Sequence, residues 1–206
     1  MRVLPSFALM LMLILNSMLM TARGQVMITA ASPQPSSTNT PFKFLFAGAL
    51  EFGGESIAEI AFADGSTQKM MAGQGGSIYA GGQVRLTSDD KWFLKGLVGY
   101  KYLTTKATNT AITLTRVPIR ITGMYKVTPK FWLGGGVVAH TLVKFNGGSI
   151  AANENLKSSP GGIIDIGYSH FSFSYTSMKY QDQLNKTYNA QSFGLFVYIP
   201  VEKKKR

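Results

Sequence analysis

Apolar and polar residues alternate with a period of two from Phe42 to Val201, and no stretch of helical period interrupts them. This pattern predicts eight β-strands, in the segments 42–52, 77–86, 91–103, 116–126, 130–145, 161–168, 171–180 and 189–199. One face of each strand is apolar and bounded by aromatic residues. The other face holds cations, hydroxyls and glycines. In the fourth strand Arg116 and Arg120 alternate with Val117 and Ile119, and in the fifth Val143 is predicted on the apolar face and Lys144 on the polar face.

The direction of the apolar face decides which class of barrel these strands form. A soluble barrel or sandwich turns that face inward, whereas a membrane barrel turns it toward lipid and places the charges in the lumen. The predicted connections alternate between short turns, at 88–90, 128–129 and near His170, and long loops, at 53–76, 104–110, 146–160 and 181–188. This alternation is typical of outer-membrane barrels, which have short periplasmic turns and longer outer loops.

The polar faces are also rich in glycine and small residues, which suits the narrow interior of an eight-stranded barrel. Lipid offers no partner for a backbone N–H or C=O group, so a sheet within it must close on itself. We therefore predict an all-β fold, an eight-stranded antiparallel up-and-down transmembrane β-barrel over residues 42–201. A soluble lipocalin-like barrel or sandwich is the alternative.

The first 41 residues show a different pattern. Arg2 precedes an apolar segment over 7–15, and Ala22 and Gly24 provide small residues after it, which predicts a cleaved signal peptide over 1–24. An uncleaved membrane anchor is the alternative. Residues 25–41 are rich in Ser, Thr and Pro and are predicted to be a flexible leader, while 202–206 form a basic tail.

Composition narrows the chemistry. The 206 residues include no Cys, so disulfides, thiolate metal sites and Cys nucleophiles are excluded. The net charge of +11 suggests anionic neighbours such as lipid phosphates. Nucleic acid is not predicted as a partner, because no reading helix or basic aromatic platform is present. The two His, His140 and His170, are far apart in the predicted strand map, so we predict no metal site and no cofactor.

Four segments together, "FGGESIAEIAFADGSTQKMMAGQGG", "LTRVPIRITGMYKV", "FWLGGGVVAH" and "FSYTSMKY…SFGLFVYI", resemble the small outer-membrane β-barrel proteins of Gram-negative bacteria, a porin-like superfamily. The chain looks most like an uncharacterised subgroup whose first outer loop carries a "DGS" hairpin, here Asp64, Gly65 and Ser66. The resemblance implies an eight-stranded barrel in the bacterial cell outer membrane with both termini in the periplasm. It implies no particular activity.

Nine charged residues are predicted to face the lumen: Lys43, Glu51, Arg85, Lys95, Lys101, Arg116, Arg120, Lys126 and Asp165. We expect Glu59 to lie above these residues. We also expect a few ion pairs inside a plugged interior, with spare cations reaching either mouth. The alternative is a narrow path that prefers anions. The Gly-rich segments 73–76 and 134–136 open no helix, so they are not predicted to bind phosphate.

The extracellular hairpin is predicted around Asp64, Gly65 and Ser66, because an Asp-Gly pair suits the positive φ angles of a tight turn. The first two barrel strands should continue into it, with Ile60 and Phe62 as its apolar side.

The predicted function is that of a non-enzymatic barrel that presents extracellular loops for envelope structure or adhesion. Its predicted partners are outer-membrane lipid, lipopolysaccharide and an extracellular partner reached through the loops, and the chain is predicted to be monomeric. One alternative is a lipid A-modifying enzyme that uses His170 and Ser172, although no carboxylate that would orient the His can be identified. A soluble lipid carrier is the other alternative.

Overall fold

The computed structural model describes residues 42–61, 65–107, 110–149 and 151–201. The predicted signal peptide, leader and basic tail, together with Phe62 and Asp64, lie outside these residues. None of the described residues forms a helix long and apolar enough to cross a membrane. They form the strands β1 (Phe42–Phe52), β2 (Ser56–Ala61), β3 (Thr67–Met71), β4 (Gly75–Arg85), β5 (Trp92–Ala107), β6 (Thr110–Lys126), β7 (Phe131–Asn146), β8 (Glu154–Ser158), β9 (Gly161–Tyr168), β10 (Phe171–Ser177), β11 (Lys179–Gln181), β12 (Thr187–Asn189) and β13 (Ser192–Val201).

Eight of these strands close into a barrel. The order around it is β1, β4, β5, β6, β7, β9, β10 and β13, every neighbouring pair is antiparallel, and β13 pairs with β1. Closure leaves no free edge along the barrel wall. The predicted all-β fold, an eight-stranded antiparallel up-and-down barrel, is confirmed.

The two ends of the barrel differ. The short-turn end carries the turns 86–91, 127–130 and 169–170, and both the start of β1 and the end of β13 lie there, since Phe44 pairs with Val201. The loop end carries the longer connections, which contain β2, β3, β8, β11 and β12. The prediction of a long loop over 104–110 is wrong, because β5 continues to Ala107 and β6 begins at Thr110.

A bulge in β7 changes which side chains face inward. Thr115 pairs with Lys144 and Val117 with Thr141, so β7 has one extra residue at this point, and Leu142 takes a φ of +50°. Beyond the bulge Val143 is buried and Lys144 is exposed. The alternation predicted Val143 outside and Lys144 inside, and both assignments are wrong, because a one-residue insertion exchanges the two faces.

The first outer loop does not continue β1 and β4. Strands β2 and β3 form a separate two-stranded sheet, which corrects the prediction of a continuous projecting hairpin. Gly53 and Gly54, with φ of +118° and +93°, end the barrel strand and turn the chain. Ile60 and Met70 are buried against residues of β6, β7, β8 and the last loop, so the sheet packs over the barrel mouth instead of projecting freely.

Candidate functional site

The outer wall of the barrel is apolar on every strand. Large exposed side chains include Phe46, Val98, Ile121 and Ile166. Aromatic residues lie on the outer surface near both ends: Phe44, Trp92, Tyr168 and Phe171 at the short-turn end, and Phe52, Tyr100, Tyr102 and Phe193 at the loop end. Eight steps along β13, from Phe193 to Val201, rise about 26 Å, or about 20 Å along a barrel axis inclined by ~40° to the strands. This height is close to the ~25 Å apolar band of outer-membrane barrels.

The predicted lumen charges occupy three different environments. Lys43 is exposed at the short-turn mouth. Arg85 and Lys126 are half-buried near the same end, where Arg85 forms an ion pair of 2.7 Å with Asp90 of the adjacent turn. The remaining six are buried on the inner face of the barrel: Glu51, Lys95, Lys101, Arg116, Arg120 and Asp165.

Two buried ion pairs cross the barrel interior. Lys101 Nζ lies 2.9 Å from Glu51 Oε2, and Ser77 and Ser192 donate hydrogen bonds to the same carboxylate. Arg120 donates to both carboxylate oxygens of Asp165, at 3.0 and 3.2 Å. Because removing one partner of such a pair leaves an uncompensated charge in a low dielectric, each pair constrains the strands that carry it. Glu59, expected above this layer, instead pairs with Lys69 of β3 at 3.7 Å.

Two interior cations near the loop end bind the backbone of the first long loop, over residues 72–74. Arg116 donates to the carbonyl oxygens of Ala72 and Gln74, and Lys101 Nζ donates to that of Gly73 at 2.7 Å. The Gly-rich segment 73–76 therefore offers carbonyl oxygens to cations, which is the opposite polarity to a phosphate cradle. A Cβ on Gly73 would collide with the carbonyl oxygen of Gln191, so only glycine allows this close approach.

The sequence did not predict the part that Tyr180 plays at the loop end. Its hydroxyl accepts a hydrogen bond from Arg116 at 3.2 Å and contacts His140 Nδ1, which joins β11 to β6 and β7. The sequence did contain a signal that Tyr180 points inward. The every-second-residue pattern of inward positions in β10 continues through Met178 to Tyr180, and all of these positions are buried. Around Tyr180 an apolar cluster covers the mouth of the barrel: Ile60, Met70, Leu114, Val143, Phe145, Leu156 and Met178.

A pocket of about 240 Å³ opens at the short-turn end. Its inner wall is aromatic, formed by Phe93, Trp132 and Tyr198 around the ammonium group of Lys95. Next to it, in the turn 86–91, the Thr87 hydroxyl and then the Lys91 backbone N–H donate hydrogen bonds that hold the pKa of Asp89 below its usual value.

The residues of the enzyme hypothesis are not brought together. His170 is exposed in its turn and its Nδ1 lies 3.0 Å from the hydroxyl of Ser169. Ser172 points into the barrel, where it is buried and donates to the Tyr198 hydroxyl at 3.5 Å. Among the described residues no three His, Cys, Asp or Glu side chains group as metal ligands would.

Comparison with known proteins found a similar fold among solved structures. No protein-family model matches the chain, and no curated protein sequence matches it. Among solved structures, the chain is similar to Ail, the attachment invasion locus protein of Yersinia pestis, whose structure was determined in complex with the heparin analogue sucrose octasulfate. The match has a TM-score of 0.43 and 8% identity, and it covers 77% of this chain and 97% of that one. A likeness at this level carries no argument about function.

Proposed function

We propose that this chain is a non-enzymatic β-barrel of the bacterial outer membrane that presents its structured loops at the cell surface, for envelope support or adhesion. The observation that carries the proposal is the distribution of side chains across the barrel wall. Large apolar residues cover the outside, while charged, hydroxyl-bearing and aromatic residues fill the inside. Hydrocarbon is the solvent in which this arrangement is favourable.

The same distribution argues against the soluble carrier. A lipocalin-like barrel holds an apolar ligand in an apolar lumen, whereas two ion pairs occupy the middle of this one. Its exterior would also present apolar surface on all eight strands to water, far more than the few hundred Å² that soluble monomers tolerate in one patch. Outer-membrane lipid is therefore the proposed partner of the wall.

A basic sheet face at the loop end supports lipopolysaccharide as a second partner. Strand β8 pairs with β7 on one side and with β11 on the other. The pairings of Lys144 with Asn155 and of Lys157 with Gln181 place Lys144, Lys157 and Lys179 on one exposed face of this sheet. Three lysines on one exposed face at the loop end suit the phosphate groups of that lipid, since basic residues near a membrane surface attract anionic headgroups.

The interior supports a role in presentation rather than transport. Two buried ion pairs lie inside the barrel, and the apolar cluster around Tyr180 covers the loop end. An eight-stranded barrel filled by side chains leaves no continuous water path. The cluster also ties β2, β3, β8 and β11 into one packed unit, so the loops offer a defined surface to a partner outside the cell.

Fractionation and heat modifiability test the proposal directly. The expressed chain should sediment with the outer membrane, and the folded form should migrate faster on SDS gels before boiling than after it, because a closed hydrogen-bonded barrel resists SDS. Recovery in the soluble periplasmic fraction, with identical migration before and after boiling, would contradict the membrane barrel and favour the carrier.

The enzyme alternative has its own test. If Ser172 were a nucleophile, expression of the unmodified chain would alter the acyl chains of lipid A, and Ser172→Ala would abolish the change. Because His170 bonds to Ser169 and Ser172 is buried, we expect an unaltered lipid A mass spectrum with either protein.

A further inference from the structure

The pocket at the short-turn end has a charge pattern that the membrane role does not explain. Its lining includes five basic side chains, and no acidic residue lines it among the residues that the structure describes. The basic residues come from β1, β5, β6 and two turns: Lys43, Lys95, Lys126, Lys130 and His170. The four lysine ammonium groups repel one another, so an anion bound among them would lower the free energy of the site.

Lys95 gives the pocket its most specific feature. The residue is only 3% exposed, and its ammonium group lies 3.8 Å from the ring centroid of Tyr198 and 4.3 Å from that of Trp132. No carboxylate of the described residues lies within ion-pair distance of it, since Asp165 is held by both of its oxygens on Arg120. An ammonium group has three hydrogen-bond donors. The ring faces attract its positive charge but offer no lone pair that could accept a hydrogen bond. Because Lys95 lines the pocket, an acceptor that enters can reach these donors.

The walls and size of the pocket limit the chemistry of the ligand. Phe93 and Trp132 provide apolar surface beside Lys95, and Lys126 Nζ lies 5.5 Å from the Phe93 ring centroid. The volume of about 240 Å³ is below the ~300–1,000 Å³ typical of pockets for drug-sized ligands. The ligand is therefore small, with an anionic head and a short organic portion.

We propose that this pocket binds a small phosphomonoester. The phosphate oxygens accept hydrogen bonds from Lys95 and from lysines at the rim, and the organic portion packs against Trp132 and Phe93. A phosphate dianion offers more acceptors and neutralises more of the four lysines than a single carboxylate does. The proposal rests on the inner geometry of the pocket and goes beyond the role in the membrane.

The chain contains a built-in reporter for binding. It has two tryptophans; Trp132 lines the pocket, while Trp92 is exposed on the outer wall. In a Trp92→Phe background, Trp132 is the only indole fluorophore. With the protein folded in an uncharged detergent, glycerol 3-phosphate should produce a saturable change in Trp132 emission, and glycerol at the same concentrations should not.

Two lysine variants distinguish binding in the pocket from a general effect of surface charge. Lys95→Met should raise the Kd for glycerol 3-phosphate by about tenfold or more, since an ammonium-phosphate hydrogen bond is lost. Lys91→Met removes the same charge from the neighbouring turn outside the pocket and should leave the Kd within about twofold. Lys126→Gln is a second pocket variant for the case in which Lys95→Met does not fold, as judged by its migration before boiling.

The outcomes are separable from those for the membrane role. No saturable change in a protein that is heat-modifiable would overturn the pocket proposal alone, and so would equal weakening by Lys95→Met and Lys91→Met. Trp132 emission measured in nanodiscs distinguishes a lipid phosphate from a soluble one. A shift of Trp132 emission between phosphatidic acid and phosphatidylcholine discs, without soluble ligand, would assign the site to a lipid headgroup; no shift, with glycerol 3-phosphate still binding, would assign it to a soluble phosphomonoester.

Discussion

At the scale of single residues, the buried charges act in pairs, so a single substitution does not measure how much one side chain contributes to the free energy of unfolding. Arg120 binds Asp165 through two hydrogen bonds, and its guanidinium carbon lies 4.0 Å from the ring centroid of Phe196 on the inner wall. Arg120→Met leaves the Asp165 carboxylate buried without its partner. We expect a loss of about 3–5 kcal/mol in the free energy of unfolding, measured by urea titration in detergent or lipid.

The double variant Arg120→Met with Asp165→Leu is the matched control for this prediction. With both charges replaced by apolar groups of similar size, most of the lost stability should return, because no unpaired ion remains. If the double variant is as unstable as the sum of the two single variants, the two side chains do not act as a pair in the folded protein.

At the scale of secondary-structure elements, the sequence predicts all eight barrel strands because period-two alternation is a local property of each strand. It could not predict the bulge at Thr141 and Leu142, whose position depends on the partner strand β6. It also could not predict that Tyr180 contacts Arg116 and His140, since only closure of the barrel brings β11 over β6 and β7. The ion pair of Lys101 with Glu51 likewise depends on register across strands that are distant in sequence.

The apolar outer side of β6 gives a prediction for one element, based on the proposed membrane location. Ile119 points outward between Val98 and Ala139 on the neighbouring strands, so an Arg there would face hydrocarbon near the middle of the wall. Ile119→Arg should cost about 2–4 kcal/mol in the free energy of unfolding and reduce the yield of the heat-modifiable form.

A second outward position on β6, nearer the loop end, supplies the control. Thr113 lies on the same face of β6 beyond the aromatic residues, where it pairs with Thr104 and Asn146. Thr113→Arg should cost only about 0–1 kcal/mol, because its guanidinium reaches water. Equal costs at the two positions would indicate that the wall faces water along its whole height.

At the scale of the whole molecule, the interior is built in three layers. Aromatic side chains around Lys95 lie at the short-turn end, the ion pairs follow, first Arg120 with Asp165 and then Lys101 with Glu51 nearer the loop end, and the apolar cluster with Tyr180 covers the loop end. Each layer joins strands that are far apart in the sequence, which explains why the alternation pattern predicted the wall better than its contents. The layers also make the two ends chemically different, so in the proposed outer membrane the direction of insertion would determine which end faces the outside of the cell.

The direction of insertion can be measured because the chain has no cysteine of its own. Leu184, 88% exposed at the loop end, and Lys91, exposed in a turn at the short-turn end, are suitable for single substitutions to Cys. We expect Leu184→Cys to react with a membrane-impermeant maleimide on intact cells, and Lys91→Cys to react only after the outer membrane is permeabilised. The reverse order would place the lysine-lined pocket outside the cell and the packed loops in the periplasm, because antiparallel up-and-down strands keep all short turns on one side.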